Sequence, residues 1–181
     1  MNKTPGNHMK YKTFKTTLVL LITLLISTIL TVFSVGLAQP NEKYQSADLI
    51  VIWKSKRKMT LFKNEKPLQS YIIRLGFNPL GPKQKQGDGK TPEGKYFITH
   101  KNPKSNFHLS LGINYPNQKD KKLAKKLGFD PGDNIFIHGG PKNIFKHIFS
   151  DWTDGCVAVT DKEIEQIYKM IKKNTVVYIH P

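Results

Sequence analysis

Short stretches of alternating hydrophobic and polar residues dominate positions 48–181. Asp48–Lys54, Lys58–Lys63 and Leu68–Gly76 each follow the period of two that is typical of β-strands, and the turn residues Asn64–Pro67 separate the last two. This spacing predicts an antiparallel meander. Further strands are predicted at Lys95–His100, Phe107–Ile113, Asn134–His138, the end of Thr153–Val159, and Thr175–His180.

Two stretches in the same region carry helical patterns. Lys119–Leu127 is a lysine-rich run that Gly128 would terminate in a left-handed conformation. Thr160 and Glu163 have the spacing of a capping box, and an apolar helical face follows them. That face consists of Ile164, Ile167 and Ile171. Mostly short strands with one or two short helices predict a mainly β fold (β-rich α+β), arranged as a sandwich or barrel.

The chain begins with a segment of a different character. Residues 1–17 contain four lysines and no acidic residue, and the uncharged apolar run Leu18–Ala38 follows. A basic flank before an apolar run is typical of a secretory signal, and Gly36 and Ala38 suit cleavage before Gln39. The run is also close to the roughly 20 residues that cross a bilayer, so an uncleaved membrane anchor is the alternative.

Both alternatives lead to the same domain organisation. Residues 1–38 would be a signal peptide or an anchor, residues 39–47 a short linker, and residues 48–181 a single folded domain. That domain would work outside the cytoplasm, in the periplasm or cell envelope, and would meet the membrane only through residues 18–38.

Composition narrows the possible partners. The 181 residues carry a net charge of +16, and four of these charges belong to residues 1–38. The rest of the positive net charge belongs to residues 39–181, and a domain with such a charge is expected to favour anionic surroundings. Nucleic acid is not expected as a partner, because the chain has no nucleic-acid-binding motif and is expected to be exported. The lysine run Lys119–Lys126 could bind anionic envelope polymers, but such a run is more typical of a solvated helix face.

The single cysteine, Cys156, is the first candidate for chemistry. One cysteine excludes an internal disulfide framework and a cysteine-rich zinc site, and no metal-ligand spacing is found elsewhere, so neither metal nor cofactor is expected. A small buried apolar residue is the alternative role. Gly155 before it permits a tight turn that can present the thiol. A thiol nucleophile needs a base, and His138 lies where an apolar strand enters a glycine-rich loop.

Two motifs resemble those of one family. His138 is followed, after the fourteen residues from Gly139 to Trp152, by Thr153-Asp154-Gly155-Cys156, which is similar to the signature of the L,D-transpeptidase catalytic domain (YkuD) family. Gly87–Gly94 (GDGKTPEG) resembles an upstream motif of that family. Shorter similarities lie at Leu109–Leu111, Tyr115–Asn117 and Pro131–Gly132.

The resemblance implies roles for individual residues. Cys156 would be the acylated nucleophile, His138 its base, and the Gly139 carbonyl would fix the imidazole tautomer. The Thr153-Asp154-Gly155 turn would form the active-site loop, with backbone N–H groups around Gly155 and Cys156 as an oxyanion hole. The substrate cleft would be lined by His108, Ser110 and Trp152.

The resemblance also implies a reaction. The thiolate would attack a peptidoglycan stem peptide and form a thioester, which an amine or water would then resolve. This predicts a cell-envelope cysteine acyltransferase, with stem peptides and an envelope lipoprotein as candidate partners. The family's usual residues are absent at Asp154, Val157 and Ala158, and Asp151–Thr160 resembles a branch that includes members releasing lipoprotein. An L,D-type hydrolase and a non-catalytic peptidoglycan-binding protein therefore stay open as alternatives.

Overall fold

The computed structural model describes residues 21–25, 44–141, 145 and 150–181. Residues 21–25 are helical. The rest of the predicted signal or anchor at positions 1–38, and residues 39–43 of the predicted linker at 39–47, lie outside the described residues. Within the described part of the chain, no helix is both long enough and apolar enough to cross a membrane. Tyr44–Pro181 forms one compact unit, and the architecture below concerns that unit.

Eight strands form one mixed sheet in this unit, with the order β3-β2-β1-β8-β4-β5-β6-β7. Among the described residues of this unit, two short helices have both ends described, and the dominance of strands confirms the predicted mainly β class. The helices are α1 (Gln118–Leu127) and α2 (Asp161–Met170). The strands are β1 (Leu49–Trp53), β2 (Lys58–Lys63), β3 (Lys66–Ile72), β4 (Gly94–Ser105), β5 (His108–Ile113), β6 (Phe136–His138), β7 (Val157–Ala158) and β8 (Val176–His180).

The predicted meander is present as β1, β2 and β3, which pair antiparallel. The predicted turn at Asn64–Pro67 is shorter than expected. Asn64 and Glu65 both have positive φ, 47° and 65°, and these two residues complete the hairpin turn. Lys66 therefore already pairs with Lys63, and the strand predicted to begin at Leu68 begins two residues earlier.

β4 joins the two parts of the sheet. Gly94–Phe97 pairs with β8, which also lies parallel to β1, whereas the second half of β4 pairs with β5. The sequence predicted only Lys95–His100 here, whereas the strand continues to Ser105 through Asn102, Pro103 and Lys104. Pairing with β5 keeps this polar segment in the sheet, with irregular register.

The two helices match their predicted patterns. Asn117 caps α1 with a capping box to Asp120, and Gly128 follows at φ 76°; all five lysines of α1 are exposed and only Ala124 is buried. Thr160 caps α2 through Glu163. The predicted apolar face of α2 is buried in the core, with Ile164 and Ile167 fully buried and Ile171 at 1% exposure.

Candidate active site

The ends of two short parallel strands bring the candidate nucleophile and base to one place. In the β6–β7 register Ile137 pairs with Val157 and His138 with Ala158. Cys156 immediately precedes β7 and therefore lies beside the start of β6. The Phe136 backbone N–H favours the ionised form of the cysteine sulfur. Sγ also lies 3.6 Å from the Asn134 carbonyl oxygen, to which the thiol donates.

His138 is buried, at 3% exposure, and its orientation is fixed. Nδ1 lies 2.6 Å from the carbonyl oxygen of Gly139. A carbonyl can only accept, so Nδ1 carries the hydrogen in the neutral ring and Nε2 is left as a proton acceptor. The ring stacks on Phe107 at a centroid distance of 4.5 Å and meets Trp152 edge-on at 5.7 Å.

The loop after His138 is held by the start of α2. Asp161 Oδ1 accepts a hydrogen bond from the Gly140 N–H at 2.7 Å. A Cβ at Gly139 would lie 2.6 Å from the same carboxylate oxygen and 2.9 Å from the side chain of Ile164. Glycine at position 139 therefore permits the close approach of α2, which positions the carbonyl that orients His138.

Thr153 closes a tight turn around Cys156. Its hydroxyl donates to the Cys156 carbonyl at 2.7 Å and accepts from the Gly155 N–H at 3.2 Å. Gly155 has φ +130°, and a Cβ there would lie 2.6 Å from the Lys90 carbonyl oxygen. The Gly155 N–H thus already donates within the turn, which argues against it as an oxyanion donor.

The GDGKTPEG segment buttresses this turn. Asp88 accepts hydrogen bonds from the Lys83 ammonium at 2.8 Å and from the backbone N–H groups of Gln84, Lys85 and Lys90 at 2.8 to 3.1 Å. Burial alone would raise the pKa of Asp88, but these bonds outweigh it and hold the pKa below its usual value. The loop is therefore fixed where its Lys90 carbonyl meets Gly155.

Asp151 anchors the other end of the cysteine-containing loop. Its carboxylate pairs with Arg57 through Nε and through the terminal nitrogen Nη2, the latter at 2.7 Å. It also accepts the Leu75 N–H at 2.9 Å. This pair connects the loop to the turn after β1.

Two cavities meet at the candidate catalytic pair. Both are lined by Cys156, His138, Phe107 and Asn134. The hairpin cavity, of about 310 Å³, is named for the end of the β4–β5 hairpin, which supplies Asn102, Lys104, Ser105 and Ser110. The loop cavity, of about 420 Å³, is named for the loops that supply Lys83, Gln86, Asp133, Trp152, Thr153 and Asp154.

Most of the residues that the sequence singled out lie at this place, and one does not. Ser110 lines the hairpin cavity, and Trp152, Thr153 and Asp154 line the loop cavity. His108 lines neither: its Nε2 lies 2.7 Å from the Glu165 carboxylate on α2, in an exposed pair. Ser110 is the β5 residue that pairs with His138. His108 pairs with Ser105, which does line the hairpin cavity, but its own side chain is held on Glu165 instead.

Sequence reasoning missed several lining residues. Phe107 covers the His138 ring, but no motif marks it, because only the return of the β4–β5 hairpin places it there. Asn134 lines both cavities and opens the segment predicted as a strand, which was the available signal. Val157 and Ala158, where the family's usual residues are absent, are at most 1% exposed and line neither cavity.

Cys156 is in an environment that favours the neutral thiol. Burial, with a further contribution from the Asp154 carboxylate, raises the pKa of the thiol above its usual value. The Phe136 N–H and Lys83 oppose this shift without cancelling it. A nucleophilic Cys156 would therefore depend on a base to take its proton.

Comparison with known proteins shows the family of this chain. The family model described as "YkuD: L,D-transpeptidase catalytic domain" matches residues 47–179. An Escherichia coli (strain K12) protein named "Putative L,D-transpeptidase YafK" is 31% identical over 128 residues, which are 67% of this chain and 46% of that protein. The chain belongs to the L,D-transpeptidase catalytic domain (YkuD) family, as the two sequence motifs predicted.

Solved structures share the fold. The structure of Bdellovibrio bacteriovorus Bd1075 is 27% identical with a TM-score of 0.57, and the match covers 77% of this chain and 49% of that one. The helical cell shape determining protein Pgp2 from Campylobacter jejuni is 23% identical with a TM-score of 0.57, over 77% of this chain and 51% of Pgp2. The chain thus spans about half the length of these relatives.

Proposed function

We propose that this protein is a cell-envelope cysteine acyltransferase that acts on peptidoglycan stem peptides through a thioester on Cys156. The observation that carries the proposal is the convergence of Cys156 and His138 on the same two cavities, with the His138 tautomer held by the Gly139 carbonyl at 2.6 Å. Membership of the L,D-transpeptidase family supplies the reaction class.

In the acylation step His138 Nε2 takes the thiol proton, and Sγ attacks the carbonyl carbon of the stem-peptide amide. The negative charge that develops on the carbonyl oxygen requires a donor, and the backbone N–H of Cys156 is the candidate that remains in its turn. As the C–N bond breaks, His138 returns the proton to the leaving amine. The peptide is then held as a thioester on Cys156.

In the second step an amine or water attacks the thioester. The nucleophile gives a proton to His138, its bond to the carbonyl carbon forms, the C–S bond breaks, and Sγ recovers the proton. Transfer to an amine gives a cross-link or a lipoprotein attachment. The expected export of residues 39–181 places this chemistry in the periplasm or cell envelope, where such peptides occur.

Hydrolysis is the second candidate outcome. Asp154 lines the loop cavity beside Cys156 and stands where the family's usual sequence has histidine. An exposed carboxylate at this position can hold water by hydrogen bonds. The same thioester would then be resolved by water, so that existing links or attached lipoprotein are released.

The deciding experiment is mass spectrometry of sacculi incubated with the purified protein and with Cys156→Ala. New dimers between third stem residues would support transfer, and loss of links or released lipoprotein would support hydrolysis. A carbapenem should add its mass to Cys156 in the unaltered chain and not in Cys156→Ala. Unchanged sacculi, together with no adduct after long incubation, would contradict both enzymatic candidates and favour a non-catalytic peptidoglycan-binding protein.

A further inference from the structure

Helix α1 carries a basic surface that the proposed reaction does not use. All of its lysines are exposed, and none of them forms an ion pair with another described residue. These lysines are Lys119, Lys121, Lys122, Lys125 and Lys126. Their charges are therefore available to an anionic partner.

Apolar side chains lie within this basic surface. Leu123, Leu127 and Phe129 are 39%, 41% and 43% exposed. Leu123 and Leu127 are one turn apart, so they share a side of the helix. The Phe129 N–H donates to the Ala124 carbonyl at 2.9 Å, which keeps Phe129 at the end of α1, and the Lys85 ammonium lies 5.1 Å from its ring centre.

The inner side of α1 is fixed on the folded domain. Ala124 is buried, and the Asp120 carboxylate accepts hydrogen bonds from the Tyr96 hydroxyl at 3.1 Å and from the Asn117 N–H at 2.9 Å. The acid of the helix is thus turned inward while its lysines face water. We call the outward set the basic helix surface: Lys119, Lys121, Lys122, Leu123, Lys125, Lys126, Leu127 and Phe129.

The combination of lysines with exposed leucine and phenylalanine fits one kind of partner. Anionic lipid headgroups attract lysines, and apolar side chains beside them gain free energy when they enter the boundary between headgroups and acyl chains. A soluble polyanion would satisfy the lysines but would leave the apolar side chains in water. We infer that the basic helix surface docks on a membrane that contains anionic lipids.

Docking through α1 brings the candidate active site close to the membrane surface. The backbone N–H of Gln86, which lines the loop cavity, donates to the Asp130 carbonyl at 2.8 Å, directly after Phe129. The contact is additional to the one expected through residues 18–38. It does not depend on the proposed acyl transfer.

The test measures how well vesicles protect lysines of the full chain. The chain is mixed with vesicles of phosphatidylcholine alone, or of phosphatidylcholine and phosphatidylglycerol in equal parts, and is then treated with a membrane-impermeant acetylating reagent. Peptide mass spectrometry gives the modification of Lys119, Lys122 and Lys126 relative to Lys66 and Lys173, which are exposed lysines outside α1. This ratio should fall about fivefold on the anionic vesicles, the effect of one lysine at such a surface. It should not change on phosphatidylcholine.

A leucine variant tests the apolar contribution. Leu123→Gln combined with Leu127→Gln keeps every lysine and should lose most of the protection. Ile72→Gln is the matched control, because Ile72 is an apolar side chain of β3 that is 66% exposed, and its protection should stay unchanged. Far-UV circular dichroism checks that both variants are folded.

A lysine variant tests the electrostatic contribution. Lys122→Gln combined with Lys126→Gln leaves Lys119 as the reporter, and its protection should also be lost. About 0.5 M sodium chloride should release the unaltered chain in the same way, because salt screens the attraction. Residues 18–38 are identical in every arm, so their own affinity for lipid does not enter the comparison.

Several outcomes would overturn the inference. Equal protection on both kinds of vesicle, or protection on neither, would do so, and so would protection that persists in the leucine variant. Equal protection by soluble poly(glycerol phosphate) would overturn it in favour of an anionic polymer. Cys156→Ala should be protected like the unaltered chain, so a failure of docking and a failure of the proposed acyl transfer are distinguishable.

Discussion

At the scale of single residues, the environment of Cys156 raises a question of protonation. The cysteine is half-buried and the Asp154 carboxylate acts on it, and both features favour the neutral thiol. The site therefore differs from those in which a cation keeps a cysteine ionised at rest. Proton transfer to His138 would accompany attack, and the fixed tautomer leaves Nε2 able to accept that proton.

Asp154→Asn tests the electrostatic part of this account. Removal of the negative charge should lower the pKa of the thiol, although solvent screens the exposed Asp154. The pH profile for alkylation of Cys156 by iodoacetamide should move towards lower pH, followed by intact mass. Glu65→Gln is the control, and an unchanged or upward-shifted profile for Asp154→Asn would refute the role of this charge.

A second prediction at this scale concerns Gly155. In Gly155→Ala the new Cβ would lie 2.6 Å from a backbone oxygen, at φ +130°. The strained backbone conformation of the new alanine should by itself lower the free energy of unfolding by roughly 1–3 kcal/mol. Gly87→Ala is the matched control, because Gly87 also has positive φ, +73°, but a Cβ there would meet nothing within 4 Å.

Urea unfolding of both glycine variants gives the comparison. Gly155→Ala should lower the free energy of unfolding more than Gly87→Ala does. Carbapenem labelling of Cys156 should fall in Gly155→Ala and stay unchanged in Gly87→Ala. Equal losses with full labelling would mean that the contact with Lys90 does not position the turn.

At the scale of elements, the loop between Lys83 and Gly94 owes its position to Asp88. The side chains of Lys83 and Asp88 are only 3% and 6% exposed, and the carboxylate also accepts from three backbone N–H groups. A buried pair of this kind contributes little net stability as a whole. Loss of one partner is costly, because it leaves the other charge unpaired.

Asp88→Asn should therefore destabilise the protein by roughly 3–5 kcal/mol near neutral pH. The folded pKa of Asp88 lies below its unfolded value, so this contribution is fully present above the usual pKa of 3.8 and is lost as the pH falls through the lowered folded value. Urea unfolding at neutral and acidic pH gives the free energy of unfolding of Asp88→Asn and of the unaltered chain. The difference between these two free energies should become smaller as the pH drops. Asp48→Asn, which breaks an exposed pair with Lys63, should cost less than about 1 kcal/mol at either pH.

At the scale of the whole molecule, the long strand β4 makes one cooperative unit of Tyr44–Pro181. It pairs with β8 near its start and with β5 over the rest. The two parts of the sheet therefore share this strand, and neither should unfold without disturbing the other. The chain contains two tryptophans, Trp53 in β1 and Trp152 beside His138. They report on opposite parts of the sheet.

Unfolding should accordingly follow a single transition. Trp53→Phe and Trp152→Phe each leave one fluorophore, and within each variant the urea midpoint from fluorescence should coincide with the midpoint from far-UV circular dichroism. If the Trp152 fluorescence changes at a lower urea concentration than the circular dichroism signal, the active-site part of the sheet unfolds separately.

The sequence by itself determined the mainly β class, the two helices with the Gly128 end of α1 and the capping box of α2, the family and the candidate residues Cys156 and His138. These follow from local signals: period-two alternation, capping spacing, and two motifs whose residues must keep a fixed order. Only the tertiary structure decided which side chains share the site. It placed Phe107 on His138 and His108 against Glu165, because strand register acts between segments far apart in the chain. The two cavities likewise exist only where separate loops and a hairpin meet at the single cysteine.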